Sequence, residues 1–531
     1  MEFNRTVHSF NGIEYGTNII ESENILDYLR RRVEDSGNKP FITEVSSSGQ
    51  VSTITYREYY VKHMALTNHL LDNLEINHDN MIAILPRNDV NSILAITATL
   101  EVGATAVILN PNEPKQRIKE QLDTAQCDYL FYNDNLSYDV SIQIVDINKL
   151  LFDCVLKKDF RTPPPKNAKY KPAIVMFTTG TTSNSKAVMQ SHYNIAVNCM
   201  SLVKHHKLNN CKTLLCTLPI YYANGLEFTI FSTMIAGAHV ALLSSFNPLL
   251  LPRIIKKFNV NIASLVPNML NVLMEVNNIN MNDFKYLDYF VTAAAPLSQN
   301  TSINVYEKIN KRIIQGYGLT ETTNFSTLLP VNMNDLTYRK WMVDTEIPTV
   351  GEQVFGNEVA IIGEDGNEVS LNVEGEIVMR GHSVMLGYLN NESATNSAFK
   401  NGWFHSGDLG KMVYDEEINK KMLIITGRVK NIIKISGQGV SLDEIDRVIL
   451  KIKGVRDAAS IGVKNDLLGE TIGILISVDN TEKYGVTEDK IRRNLRENFA
   501  ISKLVVNIKF IDEIPRSPNG KLNRNTLKQF F

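Results

Sequence analysis

Between residues 82 and 110 the chain reads IAILPRNDVNSILAITATLEVGATAVILN: an apolar run, a turn with Pro86 and Asn88, a helix-length stretch ending near Gly103, then a β-branched run. That succession predicts one strand–helix–strand unit. The pattern recurs in AIVMF (173–177), TLLCTLPI (213–220), HVALL (239–243), NIASLVP (261–267) and YFVTAA (289–294), short apolar runs separated by helix-length segments. Such runs are apolar on both faces, as strands of a covered parallel sheet must be, so a large α/β region with mostly parallel sheets is expected. A chain of 531 residues exceeds what one core organises, and two or more domains are expected.

After about residue 345 the texture changes. GNEVAIIGEDGNEVSLNVEGEIVMRG has short alternating runs punctuated by Gly and Asp-Gly turns, which suggests a small antiparallel β module. Beyond ITGRVKN (425–431), helix-like SLDEIDRVILKI, strand-like ILISV and helix-like KIRRNLREN suit a separate C-terminal domain. RTPPPKN (161–167) reads as a stiff linker before AIVMF, and there is no internal repeat or low-complexity tract.

Several function classes lose their physical basis at this stage. Lys+Arg 55 against Asp+Glu 57 gives a net charge of −2, no electrostatic case for nucleic acid or an anionic membrane as main partner. The five cysteines (Cys127, Cys154, Cys199, Cys211, Cys216) are scattered and form no CxxC pair, which argues against a disulfide framework and a zinc site. The N-terminus MEFNRTVHSFNGIEYG lacks the basic start and apolar run of a signal peptide, so a cytoplasmic location is the expectation. Phe228 to Pro252 carries no Asp, Glu, Lys or Arg and is long enough to span a bilayer. Gly237, His239, three serines and the Asn247-Pro248 break instead divide it into a short helix, a strand and a loop of a buried α/β core.

The segment TTGTTSNSKAVMQSH (178–192) follows the apolar run AIVMF. Its hydroxyls and backbone amides can wrap phosphate oxygens, with Lys186 supplying a point charge, although GxxxxGK[ST] does not fit; a polar surface turn is the other reading. Downstream, in order, come QGYGLTETT (315–323), GWFHSGDLG (402–410), ITGRVKNIIKISGQGVSLDEID (425–446) and PRSPNGKLNR (515–524). Together these five segments resemble the core motifs of the adenylate-forming superfamily: acyl- and aryl-CoA synthetases, adenylation domains and firefly luciferase. The resemblance runs from NILDYLRRR (24–32) to Lys521.

The resemblance implies an α/β fold with a large N-terminal domain of two mostly parallel sheets plus a small β module, residues 1–427. A smaller, mobile α+β C-terminal domain, 428–531, would follow a hinge near Lys430. It also implies Mg²⁺, ATP as substrate, and CoA or a phosphopantetheine thiol as acceptor. Thr178, Thr179, Gly180, Thr181, Thr182 and Lys186 would close on the β- and γ-phosphates. Tyr317, between Gly316 and Gly318, would lie against the adenine, with the small run Ala293, Ala294 and Ala295 beside it. Thr320 would contact the α-phosphate and Glu321 would hold Mg²⁺, a hard cation that prefers carboxylate oxygen. Asp408 would accept from both ribose hydroxyls, with Arg428 nearby. Lys521 would stabilise charge developing as a carboxylate attacks the α-phosphorus. Lys434 and Gly437, within the SGQG run, would line the thiol tunnel.

Departures from the pattern bear on rate and substrate. Relatives usually have Gly, Pro and Gly where this chain has Ser183, Ser185 and Ala187, changes that reduce loop flexibility. In PIYYANG (219–225), Tyr222 stands where many CoA ligases have His, and Ala223 where enzymes for α-amino acids have an aspartate. An alanine leaves an α-ammonium unpaired, which points to an aryl or short to medium acyl acid. Val266, Thr292, Gly316 and Asn324 complete the expected pocket; Glu227 reads as a solvated glutamate, or as partner to a more distant amine. The implied activity is an acid-CoA ligase; the alternatives are a stand-alone enzyme loading a separate carrier protein, a luciferase-like oxygenase, and a non-catalytic nucleotide binder.

Overall fold

The computed structural model of the chain describes residues 6–133, 140–153, 168–178, 185–276, 279–435, 438–465, 469–478, 485–499, 506–516 and 522–531. Two compact units emerge, one of residues 1–359 and 379–405, the other of residues 360–378 and 406–531.

The first unit is built on two sheets. One has nine strands among the described residues, and its centre, from Arg312–Gly318 through Tyr289–Thr292, Ile262–Ser264, Thr213–Cys216 and His239–Leu243 to Pro40–Val45, is parallel throughout. Antiparallel strands close both edges. The other has seven, with Pro172–Phe177, Thr105–Ile108, Met81–Leu85, Tyr129–Tyr132 and Gln143–Asp146 parallel. The expectation of mostly parallel sheets is met, and each apolar run named above holds a strand.

Burial on both faces explains those runs. In Met81–Leu85, Ile82 and Ile84 enter one apolar cluster while Ala83 and Leu85 enter another. Ala106 and Ile108 against Val107 divide the same way, as the two-residue side-chain period of a strand requires. The larger cluster draws on both sheets and on the helices Ile25–Ser36, Tyr56–Asp72, Val90–Glu101 and His192–His206. The uncharged run 228–252 divides as expected, with its helical part and strand largely buried and its loop partly exposed: a π-helix Asn224–Phe231 continues into Ser232–Ala236, stops at Gly237 with φ 70°, and leads to the strand His239–Leu243. Among the described residues no helix is long and apolar enough to cross a membrane.

In the second unit, residues 408–415 of the strand Trp403–Asp415 pair antiparallel with Lys420–Arg428, and residues 360–362 and 375–378, from the stretch expected to form a small β module, contribute strands to the same sheet. A further sheet runs in the order Gln438–Ser441, Ile432–Ile435, Gly469–Val478, Val455–Asn465, with Val506–Phe510 parallel to Gly469–Val478. Its core takes Ile445 and Ile449 from the helix Leu442–Leu450 and Ile491 and Leu495 from Glu488–Asn498. The linker 161–167 lies outside the described residues.

Candidate functional site

Ligands of open α/β sheets bind beyond the carboxyl ends of parallel strands, where side chains and loops converge without sheet neighbours. The four adjacent parallel strands Thr213–Cys216, Ile262–Ser264, Tyr289–Thr292 and Arg312–Gly318 end just before, or at, the expected pocket residues Tyr222 and Ala223, Val266, Thr292, and Gly316. Val266 and Thr292 are buried, and the Thr292 hydroxyl has no hydrogen-bond partner among the described residues. Asn324 Nδ2 donates to the Ala223 carbonyl at 3.2 Å, joining two of these strand ends. Tyr222 packs edge-on to Tyr221 at 4.7 Å, and burial pushes its hydroxyl up. Beyond Thr292, Ala294 is exposed with φ 71°, a left-handed backbone unusual for alanine.

The hydroxyl-rich loop leaves from a closed base. Pro172–Phe177 pairs antiparallel with Ala187–Ser191, Thr178 N–H donates to Lys186 O at 2.9 Å, and Lys186 N–H donates to Thr178 Oγ1 at 3.3 Å. Thr179, Gly180, Thr181, Thr182 and Ser183 lie outside the described residues. Ser185 is anchored, its Oγ accepting from Arg117 at 2.8 Å, and Ala187 is buried in the strand. Thr178 and Tyr222 line one small cavity, so the loop base and the acid pocket adjoin.

The turn carrying Thr320 and Glu321 depends on two glycines. A Cβ on Gly316 would lie 2.5 Å from the Phe325 ring, and one on Gly318 would lie 1.7 Å from the Asn324 carbonyl oxygen. Their absence lets the strand Phe325–Leu328 fold back tightly after the 3₁₀ turn Thr320–Thr322. Thr323, at φ 67°, donates through Oγ1 to Ser383 O at 2.7 Å. Gln190 Nε2 donates to the carbonyls of Thr320 at 3.0 Å and Thr323 at 3.4 Å. Tyr317, 8% exposed, is buried in the strand before the turn.

Lys186 and Glu321 meet at Tyr388. The lysine ammonium sits 4.5 Å from the centroid of the tyrosine ring, and the tyrosine hydroxyl donates to Glu321 Oε1 at 2.9 Å. Burial, and then the Glu321 charge, hold the Tyr388 phenol well above its ordinary range, so it stays a donor.

In the second unit Asp408 and Arg428 face each other across the hairpin register, with Arg428 Nε 2.7 Å from Asp408 Oδ1; the aspartate is buried and the arginine is 41% exposed. Lys430 is exposed in the turn Val429–Asn431. Asp443 accepts from Arg428 N–H at 2.9 Å and from Asn431 Nδ2 at 3.1 Å. Arg524 then bridges Asp443 at 2.8 Å and Asp446 at 2.5 Å. Lys521, Gly437 and the Lys434 side chain lie outside the described residues, although Arg516 and Leu522, which flank Lys521, form a β-bridge.

Sequence reasoning missed Tyr388, Gln190, Arg117 and the Asp443–Arg524–Asp446 group. It also misplaced Glu227, which is fully buried rather than solvated, because the helix that carries it lies within the core.

The chain is similar to known proteins in sequence and in fold. The model of the AMP-binding enzyme family matches residues 29–389, and that of the AMP-binding enzyme C-terminal domain matches 444–521. The chain is 29% identical over 360 residues to 4-coumarate-CoA ligase 1 of Narcissus pseudonarcissus, covering 66% of this chain and 63% of that one, less than two thirds of its length. It is 27% identical over 507 residues to 2-succinylbenzoate--CoA ligase of Listeria monocytogenes serotype 4b (strain F2365), covering 95% and 99%. In fold it is similar to ATP-bound MatB from Rhodopseudomonas palustris, with a TM-score of 0.84 at 23% identity, covering 96% of this chain and 99% of that one.

Proposed function

Since the chain belongs to the AMP-binding enzyme family, within the adenylate-forming superfamily, we propose that it is an acid-CoA ligase: it activates a carboxylic acid with ATP and passes the acyl group to the thiol of CoA. The observation that carries this reading is the convergence of Lys186 and Glu321 on Tyr388, next to a turn that ends a parallel strand.

Glu321 suits a hard cation: Tyr388 engages one carboxylate oxygen, and the other is available as a ligand. Bound there, Mg²⁺ would neutralise charge on the phosphates. Lys186 and the loop it closes hold the β- and γ-phosphates, Thr320 the α-phosphate, Tyr317 and the Ala294–Ala295 run the adenine, and Asp408 with Arg428 the ribose. The acid's carboxylate oxygen attacks the α-phosphorus and the bond to pyrophosphate breaks. Lys521 stabilises the charge that develops there, an interaction stronger in the transition state than in the ground state. The thiol of CoA then attacks the acyl carbon and AMP leaves, with Lys430 as hinge of the segment 428–531 and Lys434 and Gly437 along the thiol path.

The substrate is an aryl or short to medium acyl acid without an α-amino group. Supporting this are Ala223, which offers no charge to an ammonium, and the apolar and aromatic surroundings of Tyr222 and Val266. The named relatives act on 4-coumarate and 2-succinylbenzoate. The test is pyrophosphate release across a panel of aryl and acyl acids, with and without CoA, with Lys521→Ala as control. Release with one acid, raised by CoA and abolished in the variant, is expected. A preference for a common amino acid would refute the substrate class, and release indifferent to CoA would move the acceptor to a separate carrier protein.

A further inference from the structure

The turn before the helix Lys115–Ala125 touches both sides of the candidate site. Asn110 shapes it, its Oδ1 accepting from Asn112 N–H at 2.9 Å and its carbonyl from Glu113 N–H at 3.1 Å. The helix that follows is fixed in place by Ile118 and Leu122, which are buried in the core. On the acid side, Asn112 Nδ2 donates to the Tyr221 hydroxyl at 3.1 Å, and Tyr221 packs edge-on against Tyr222. On the phosphate side, Arg117 Nη2 donates to Ser185 Oγ at 2.8 Å, while Glu113 Oε2 lies 3.5 Å from Arg117 Nε. Glu113, Thr178, Tyr221 and Tyr222 line one small cavity, so these contacts close around a single space.

We propose that Arg117 is a positioning residue for Lys186. A guanidinium is a rigid planar fork, so a carboxylate beside Nε sets the direction in which Nη2 points. That direction is the Ser185 hydroxyl, immediately before Lys186 in the chain. Thr178 holds Lys186 itself from the facing strand end, its Oγ1 accepting from Lys186 N–H at 3.3 Å and its own N–H donating to Lys186 O at 2.9 Å. The Lys186 backbone is thus bracketed, and its ammonium stands over the Tyr388 ring, whose hydroxyl is on Glu321. Holding that backbone before the nucleotide arrives lowers the ordering cost of binding, so the contact acts on affinity for the β- and γ-phosphates. The role rests on Lys186 being the ligand of those phosphates, as proposed above.

The test measures, by calorimetry with Mg²⁺, the Kd of a non-hydrolysable ATP analogue and of AMP, which lacks the β- and γ-phosphates. Arg117→Met is expected to weaken analogue binding about fivefold, the scale of one partly exposed hydrogen bond, and to leave AMP binding unchanged. Ser185→Ala, which removes the acceptor, is expected to give the same pattern, and the double variant no further loss. On a Lys186→Met background, Arg117→Met is expected to add nothing, because the residue it positions is gone. Unchanged analogue binding, or equal weakening of the analogue and AMP, would overturn the proposal, the latter by reducing Arg117 to a structural role. Additive losses with Lys186→Met would also overturn it, by making Arg117 a direct phosphate ligand. Each of these leaves the nucleotide site standing. Wild-type protein that binds neither ligand, or Lys186→Met that binds the analogue as wild type does, would instead overturn the reading on which the role rests.

Discussion

Tyr388 serves two partners with one side chain, its ring under the Lys186 ammonium and its hydroxyl on Glu321. Tyr388→Phe keeps the ring and removes the donor, so adenylate formation is expected to fall about tenfold or more, a hydrogen bond to a charged group being worth roughly 1.5–3 kcal/mol. Pyrophosphate exchange at varied Mg-ATP measures it, and an unaltered rate would remove Tyr388 from the site. Lys186 and Glu321 were legible in the sequence because each lies in a compact motif whose residue types suit phosphate and a hard cation. Tyr388 was not, since it stands 67 residues from Glu321 and only the pairing of Gly387–Tyr388 with Ala187–Ser191 brings it in. Glu227 failed for the converse reason. A glutamate is solvated by default, and only packing reveals that this one has no access to water.

At the scale of elements, the turn after Arg312–Gly318 and the segment around Arg524 are the two places where one substitution should disable a whole feature. Gly318→Ala would set a Cβ 1.7 Å from the Asn324 carbonyl oxygen, and Asn324 also donates to Ala223. Backbone must move, so a loss of about 3 kcal/mol in denaturant unfolding is expected, together with weakened nucleotide binding. Arg524→Ala would leave Asp443 and Asp446 facing each other without their cation. A loss of about 3–5 kcal/mol in the second unit, read from its denaturant midpoint, is expected for breaking a largely buried pair. Asp443 also accepts from Arg428 N–H and Asn431 Nδ2, so the backbone around Lys430 should gain hydrogen-exchange rate in the same variant. Strands and helices were readable in advance because their periodicity is local. The acid pair and its arginine were not, because 81 and 78 residues separate Arg524 from Asp443 and Asp446.

For the whole molecule, acid acts in opposite senses on three histidines of the first unit and on a buried aspartate of the second. In the first, burial lowers His192, His239 and His382 from 6.5 to about 4. Between those values the unfolded chain binds protons that the native state refuses, so this stability is complete above pH 6.5 and is lost as pH falls toward 4. In the second, burial raises Asp446 from 3.8 to about 7 despite Arg524. There the native state holds the extra proton, so its contribution is greatest below 3.8 and fades as pH rises through 7. Calorimetry from pH 7.5 to 4.5 is therefore expected to show the second unit holding or gaining stability in the wild type and losing that gain in Asp446→Asn; the same pH dependence in both proteins would refute the assignment. What the sequence determined by itself was the layered α/β architecture, the family and the motif residues, because two-sided apolar runs and short motifs are local patterns that survive without neighbours. Tertiary structure alone decided that Lys186, Tyr388 and Glu321 meet, that Gln190 braces the turn and that Glu227 is buried, because each of these is a contact between distant segments, and burial and pairing exist only once the strands are laid side by side.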